Sequence, residues 1–136
     1  MTDAAALTGL RDTMPFAAAI GIELLEAHPD VVRGRLEWAP ERCTAGGVLH
    51  GGALIALADT CGAVCAFLNL PPGAQGTSTI ESKTNFLRGV RDGVITATSR
   101  PLRVGRTLSV LETEVVREDG ALVAKVTQTQ AYQYER

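Results

Sequence analysis

The segment GGALIALADTCGAVCAFLNL, residues 51–70, decides the fold, because it is apolar almost throughout and carries a single carboxylate. Its length is close to the roughly 20 residues with which a helix crosses a bilayer. Asp59 lies near its middle, where insertion into a membrane costs about 2.5 to 3.5 kcal/mol, and three glycines weaken the helix further. We therefore expect a helix over residues 51–69 that is surrounded by protein rather than by lipid.

Asp59 also requires a chemical explanation. No basic residue lies within one helical turn of it, and a carboxylate in apolar surroundings is costly unless a reaction uses it or a partner satisfies it. Asp59 is therefore the first candidate for a catalytic residue.

The segments around this helix are typical of strands. Residues 22–38 predict a hairpin that turns at His28, Pro29 and Asp30, and residues 1–20 predict a short helical segment. Thr, Val and Ile alternate with other residues in four later segments, and glycine-containing turns between them favour an antiparallel meander. We expect a single α+β domain over residues 1–136, with about six strands in a curved antiparallel sheet around one long helix. The four later segments are 77–88, 93–104, 107–118 and 121–135.

The composition excludes several classes of partner. The chain has 136 residues and a formal net charge of -2, which gives no sign of nucleic-acid binding. Its three cysteines, at positions 43, 61 and 65, form no CxxC or Cys–His cluster, so we expect no metal site and a reducing cytoplasm. The helical spacing of Cys61 and Cys65 favours buried packing, and the N-terminus lacks the pattern of a secretion signal.

The start of the long helix is a second candidate site. Hydrolase and nucleotide-binding motifs with glycine signatures are absent from the sequence, but His50, Gly51 and Gly52 precede the apolar run. Glycines here let a ligand approach backbone N–H groups that have no partner inside the helix, and such groups stabilise developing negative charge. The structural alternative is that the two glycines only permit a tight approach of the chain into a packed helix.

Gly51 and Asp59 are eight residues apart, which separates them by about 12 Å along a helix. They cannot act on one atom from the same helix. Two antiparallel copies of the helix in a twofold dimer would bring the start of one helix near the middle of the other.

Three blocks in the sequence resemble the hotdog-fold acyl-CoA thioesterases, and within them the phenylacetate-pathway (PaaI-type) and 4-hydroxybenzoyl-CoA thioesterase-like group. The blocks are GGVLHGGALIALADT at 46–60, TIESKTNFLRG at 79–89 and RVGRTL at 103–108. The resemblance covers nearly the whole chain. It implies a homodimer or a homotetramer built as a dimer of dimers, a CoA thioester as substrate, and no separate cofactor.

The resemblance also implies roles for individual residues. Asp59 matches the nucleophile or general base, and the backbone N–H of Gly51 from the other subunit matches the group that polarises the thioester carbonyl. His50 matches a histidine that shapes the oxyanion end, and Thr79 matches a residue that positions the acid or the water. The positions that match CoA-binding segments are Phe86, Leu87, Arg88, Gly89, Val90 and Arg91, with Arg103, Val104, Gly105, Arg106, Thr107 and Leu108.

One position departs from the family pattern. Relatives usually carry Asn or Gln six residues before the histidine, and this chain has Thr44. Either Thr44 acts through a water molecule, the neighbouring Cys43 fills the space, or turnover is weakened. The arginines fit the pattern, because Arg88, Arg91, Arg103 and Arg106, four of the 13 basic residues, lie within 19 positions, and phosphates bind to such clusters. Solvated arginines at strand ends are the structural alternative.

The expected function is hydrolysis of an acyl-CoA thioester to the free acid and CoA by a cytoplasmic homo-oligomer without nucleic-acid or membrane partners. A non-catalytic acyl-CoA binding protein with the same fold is the main alternative. A hotdog dehydratase is a third, but its histidine motif is absent from the sequence. Leu54, Leu57 and Phe86 fit either an aromatic slot or an aliphatic channel, so we expect an aromatic or medium-chain acyl group and the sequence leaves the choice open.

Overall fold

The computed structural model describes residues 1–135. Its N-terminal part forms two short helices, α1 (Ala4–Asp12) and α2 (Pro15–Ala19), where sequence reasoning expected one helical segment. The break falls before Pro15, since the residue that precedes a proline is disfavoured in the helical region. Two short 3-10 turns, Pro40–Arg42 and Ala45–Gly47, lead into the long helix α3 (Gly51–Leu68).

Six strands form one antiparallel sheet in the described part of the chain. The predicted hairpin is confirmed, with its turn at Pro29 and Asp30, and each of the four later segments overlaps one strand, the first of which begins three residues earlier than predicted. The sheet and the long helix confirm the predicted α+β class. The strands are β1 (Glu23–His28), β2 (Val31–Glu37), β3 (Ala74–Phe86), β4 (Val94–Val104), β5 (Leu108–Val116) and β6 (Leu122–Tyr134).

The strand order is β1-β2-β4-β5-β6-β3, so the predicted simple meander is wrong for β3. β4, β5 and β6 follow one another as expected, but β2 takes the place beside β4, and β3 pairs with β6 at the far edge. The side chains of β6 supply a physical reason. Gln130 on its inner face is fully buried and needs polar partners, and Thr77 and Thr79 on β3 supply them.

Helix α3 lies against the inner face of this sheet. His50 caps its start, and at its end the Asn69 side chain donates hydrogen bonds to the carbonyl oxygens of Pro29 and Cys65. The helix is long and apolar enough to span a membrane by length and composition, but here it packs as a core helix. The buried positions of α3 are Leu54, Leu57, Ala58, Cys61, Gly62, Val64, Cys65 and Ala66.

The opposite side of α3 is only partly covered by its own chain. Phe67 is 49% exposed and Ile55 is 37% exposed, although both are large and apolar. The expectation of a helix surrounded by protein is therefore only half met within one chain.

Candidate active site

Asp59 lies on the part of α3 that faces β3 and β6. The Thr79 hydroxyl donates a 2.7 Å hydrogen bond to Asp59 Oδ1, and the Gln128 amide donates a second, of 3.1 Å, to the same oxygen. Asp59 Oδ2 accepts no side-chain hydrogen bond from any residue in 1–135. One carboxylate oxygen is thus held in place while the other is available for chemistry.

Thr79 reaches the carboxylate from the face of β3 that it shares with its strand partner Gln130, just before an irregularity in the strand. The β3–β6 register shifts between Thr79 and Glu81, and Thr79 itself is exposed at the sheet edge. The structure therefore brings together two of the predicted site residues, Asp59 and Thr79. Their roles in a reaction remain predictions at this point.

The start of α3 presents one free backbone donor. His50 Nδ1 accepts a 2.7 Å hydrogen bond from the Gly52 N–H, so the imidazole serves as the helix cap. The N–H groups of Ala53 and Leu54 donate to the His50 carbonyl. Within residues 1–135 the Gly51 N–H donates to no protein group, which leaves it available for a ligand.

A groove of about 440 Å³ lies beside this free donor. A Cβ on Gly51 would lie 3.2 Å from Phe86 Cζ, so glycine lets the aromatic ring pack directly on the start of the helix. Thr44 and Leu54 also line the groove, whereas Leu57 is fully buried in the core and is no part of its wall. Among the predicted site residues, Thr44, Gly51 and Phe86 therefore share one surface.

Asp59 is not part of this surface. Gly51 and Asp59 lie on the same continuous helix, at a separation of about 12 Å given by eight residues of helical rise. One chain therefore carries two separate half-sites, a carboxylate half with Asp59 and Thr79 and a helix-start half with Gly51 and Thr44.

The two predicted CoA-binding segments are also apart within one chain. Leu87 bonds to Val123 near the beginning of β6, whereas Leu108 pairs with Ala131 near its end. Eight residues of strand rise separate those points by about 26 Å. The four arginines do not form one cluster in the chain. Arg88 and Arg91 donate to the carbonyls of Leu122 and Gly46 at one end, and Arg103 and Arg106 lie at the other.

Comparison with known proteins identifies the family. The profile of the thioesterase superfamily matches residues 46–124, which is more than half of the chain. The chain belongs to the thioesterase superfamily. The matched range includes Gly51, Asp59 and Thr79 and ends in the first residues of β6, while Thr44 lies just before it.

Individual relatives agree with this assignment to the thioesterase superfamily. A curated Deinococcus radiodurans protein, named as an inferred esterase, is 35% identical over 121 residues, covering 88% of this chain and 80% of the relative. The crystal structure of thioesterase HI1161 from Haemophilus influenzae superposes with a TM-score of 0.87 at 27% identity, covering 94% of this chain and 90% of that one.

The PaaI protein from the Escherichia coli phenylacetic acid degradation operon has a TM-score of 0.82 at 20% identity, covering 95% of this chain and 92% of its own, a likeness of fold alone. The predicted hotdog fold and the enzyme class, thioester hydrolase, are confirmed at the level of the superfamily.

The cysteines of this superfamily member play the predicted packing role in two cases. Cys61 and Cys65 are fully buried, and burial raises the pKa of the Cys61 thiol to about 12 and that of Cys65 to about 11. Neither thiol therefore ionises near neutral pH. Cys43 is half-buried, and its thiol donates to the Ala39 carbonyl.

Sequence reasoning missed three residues at the carboxylate half-site of this thioesterase fold. Gln128 bonds to Asp59, Gln130 bonds to Thr79, and Gly62 makes room for the Gln128 amide. A signal was present, because Gln128 and Gln130 occupy the same face of β6 as the apolar Val126. Two glutamines on the inner face of a strand are unusual, because a buried amide is costly without partners.

Proposed function

We propose that the chain hydrolyses an acyl-CoA thioester to the free acid and CoA in a site shared by two copies of the chain. The observation that carries this proposal is the pair of incomplete half-sites. The Asp59 carboxylate has one oxygen held and one available, while the Gly51 N–H is a free donor about 12 Å away on the same helix. The carboxylate half lacks a donor for the carbonyl oxygen, and the helix-start half lacks a base or nucleophile.

The reaction has two routes that use the same residues. In the first, Asp59 takes a proton from a water molecule whose oxygen attacks the thioester carbonyl. In the second, the carboxylate attacks the carbonyl itself, and water then hydrolyses the resulting anhydride. In both routes the Gly51 N–H donates to the carbonyl oxygen as it becomes negative, and the C–S bond then breaks. The CoA thiolate takes up the proton held by Asp59 in the first route, and a proton from water in the second.

The open edge of β3 supports the assembly of two copies. Within residues 79–86 every residue except Thr84 is exposed, including Ile80 at 59% and Phe86 at 51%. A long edge strand with unpaired backbone groups is a template for pairing with another strand. The exposed run is centred on Ser82 and Lys83, so we place the twofold axis there.

This pairing completes the site geometrically. Antiparallel pairing of two β3 strands around Ser82 or Lys83 puts Thr79 of one copy opposite the Phe86 end of the other. Because Gly51 packs against Phe86, the free N–H of one copy approaches Asp59 of the other. The same arrangement carries the segment from Phe86 to Arg91 toward the second copy's Arg103–Leu108 segment. We propose that CoA binds where the two segments meet.

A mixed-dimer experiment tests the shared site. Asp59→Asn removes the base and should reduce kcat by about 100-fold or more. Gly51→Pro removes the free N–H, and proline is tolerated at the first position of a helix. Each variant alone should be nearly inactive, but a mixture that has exchanged subunits should recover activity far above either parent. In a mixed dimer one site combines an intact Asp59 with an intact Gly51.

Gly51→Ala is the matched control. It adds the same Cβ beside Phe86 but retains the N–H, so it should keep most of the activity that proline removes. Subunit exchange is verified by native mass spectrometry, and activity is followed as thiol release from a panel of aromatic and aliphatic acyl-CoAs. Exchanged dimers without recovered activity would contradict the shared site. Full activity of Asp59→Asn would contradict its catalytic role.

A further inference from the structure

Two buried glutamines lie beneath the candidate carboxylate. Gln128 and Gln130 are both fully buried on the inner face of β6. Neither is required to form a core, and an apolar residue of similar size would avoid the cost of burying an amide. Their retention in the core calls for a chemical reason.

Gln130 belongs to a hydrogen-bond chain with one direction. The Thr77 hydroxyl donates to Gln130 Oε1 at 3.0 Å, and Gln130 Nε2 donates to Thr79 Oγ1. The Thr79 hydroxyl then donates to Asp59 Oδ1. Because a carboxylate only accepts, and because Thr79 already accepts from Gln130, the Thr79 proton points at Asp59.

Gln128 adds a second donor to the same oxygen. Its Nε2 lies 3.1 Å from Asp59 Oδ1, and the reversed amide would place an oxygen against the carboxylate. Gln128 Oε1 has no hydrogen-bond partner within residues 1–135. In this orientation the Gln128 N–H donates to Asp59 while the Gln128 carbonyl oxygen accepts no hydrogen bond.

Gly62 makes this geometry possible. A Cβ at position 62 would lie 2.2 Å from Gln128 Oε1, a distance that no side chain permits. A glycine inside a helix costs about 1 kcal/mol relative to alanine, so the buried Gly62 of α3 carries a cost that the position of Gln128 explains.

We propose that Gln128 is a positioning residue for Asp59, with Gln130 acting less directly through Thr79. Together they hold Oδ1 and fix the plane of the carboxylate, which leaves Oδ2 as the oxygen that receives the proton or attacks the carbonyl. This inference rests on the proposed thioesterase reaction, and it adds the choice of reactive oxygen and the residues that enforce it.

The first test replaces the Gln128 amide with an apolar group of similar length. In Gln128→Met the carboxylate loses one of its two donors and can rotate, so kcat should fall by about 10- to 100-fold while KM changes little. Gln130→Met should show a smaller loss of the same kind. Gln133→Met is the matched control, because Gln133 lies on the same strand but is exposed, and it should retain normal kcat.

The second test perturbs the Gln128 amide by a substitution in α3. Gly62→Ala should displace the amide and lower kcat in the natural background, but it should cost nothing further once Gln128→Ala has removed the side chain. Gly9→Ala is the control for glycine replacement in a helix, since a Cβ there meets nothing within 4 Å. Thermal melting of every variant separates loss of folding from loss of positioning.

The outcomes separate this inference from the proposed function. An inactive Asp59→Asn together with normal kcat in Gln128→Met overturns the positioning role and leaves the function intact. Full activity in Asp59→Asn overturns the catalytic role of Asp59, and the absence of thiol release by the natural chain with every acyl-CoA of the panel overturns the proposed function itself. If Gln128→Met fails to fold, the positioning role is tested by Gly62→Ala, measured both in the natural chain and in Gln128→Ala. Equal losses from Gly62→Ala in both backgrounds overturn the proposal, and a loss only in the natural background supports it.

Discussion

The sheet has two edges, and its own chain treats them differently. At one edge β1 has six residues, is covered by α1 through the buried Leu7, and has its Ala27 N–H bonded to the Met1 carbonyl. At the other edge β3 has 13 residues, and its last eight are almost all exposed. Short, covered edges resist pairing with other chains, whereas long, open ones invite it.

The two edges share one local feature, a shift in pairing register, so they can be compared directly. The pairing register shifts between Leu24 and Glu26 in β1, and between Thr79 and Glu81 in β3. The residue inside each irregularity is large, apolar and exposed, Leu25 at 37% and Ile80 at 59%. The irregularities are alike, so the difference lies in what covers each edge. The candidate site lies at the open one, beside Thr79.

The largest effect is expected from a charge on the open edge. Ile80→Lys would bury an ammonium group from each copy in the proposed interface, so we expect a monomer at micromolar concentration. Because each site would then lack the second copy's N–H donor, kcat/KM should fall by about 100-fold or more. Light scattering after gel filtration measures the mass, and thiol release measures the activity.

Leu25→Lys is the matched change at the closed edge. It places the same charge on an equivalent exposed position, and it should leave both the oligomeric state and the activity unchanged. Dissociation by Leu25→Lys but not by Ile80→Lys would reverse the roles of the two edges.

A cross-link should locate the twofold axis on the open edge. In an antiparallel pair of identical strands the residue on the axis faces its own copy at about 4.5 to 5.5 Å between Cα atoms, which suits a disulfide. In a Cys43→Ser background, either Ser82→Cys or Lys83→Cys should form a covalent dimer under mild oxidation. Glu23→Cys on the exposed side of β1 should not. Non-reducing gels distinguish these results, and efficient cross-linking at position 23 would argue against the open edge as the interface.

The elements were largely predictable from sequence because their signals are local. The apolar run predicted α3 to within one residue at its end, and the alternation of Thr, Val and Ile predicted the strands. The position of β3 was not predictable in this way. Its place beside β6 depends on long-range contacts of Thr77 and Thr79 with the buried Gln130, and no turn signal encodes such contacts.

The candidate site was predictable in part for the same reason. Asp59 and Gly51 stand out locally, one as an isolated carboxylate and the other at the start of a helix. Gln128 is 69 residues from Asp59 in the chain, so only the folded sheet shows that they meet. The predicted arginine cluster illustrates the opposite case. The four arginines are close in sequence, but β4 runs between the two pairs. Arg88 and Arg91 therefore lie near one end of β6, and Arg103 and Arg106 lie near the other.

The smallest expected effect concerns those arginines, and it tests whether the open edge reunites them. If phosphates of CoA bind where the second copy's Arg88 and Arg91 approach Arg103 and Arg106, then Arg103→Ala removes binding that is the same in the ground state and the transition state. KM for acyl-CoA should rise by about tenfold, equivalent to roughly 1.4 kcal/mol, with little change in kcat. Arg100→Ala, at an exposed position of β4 outside the predicted segments, is the matched control and should leave KM unchanged.

An acyl-pantetheine substrate lacks the nucleotide, so its KM should not respond to Arg103→Ala. An equal rise in KM for both substrates would show that Arg103 acts on the acyl or pantetheine part, and the proposed meeting of the two segments on the nucleotide would be wrong.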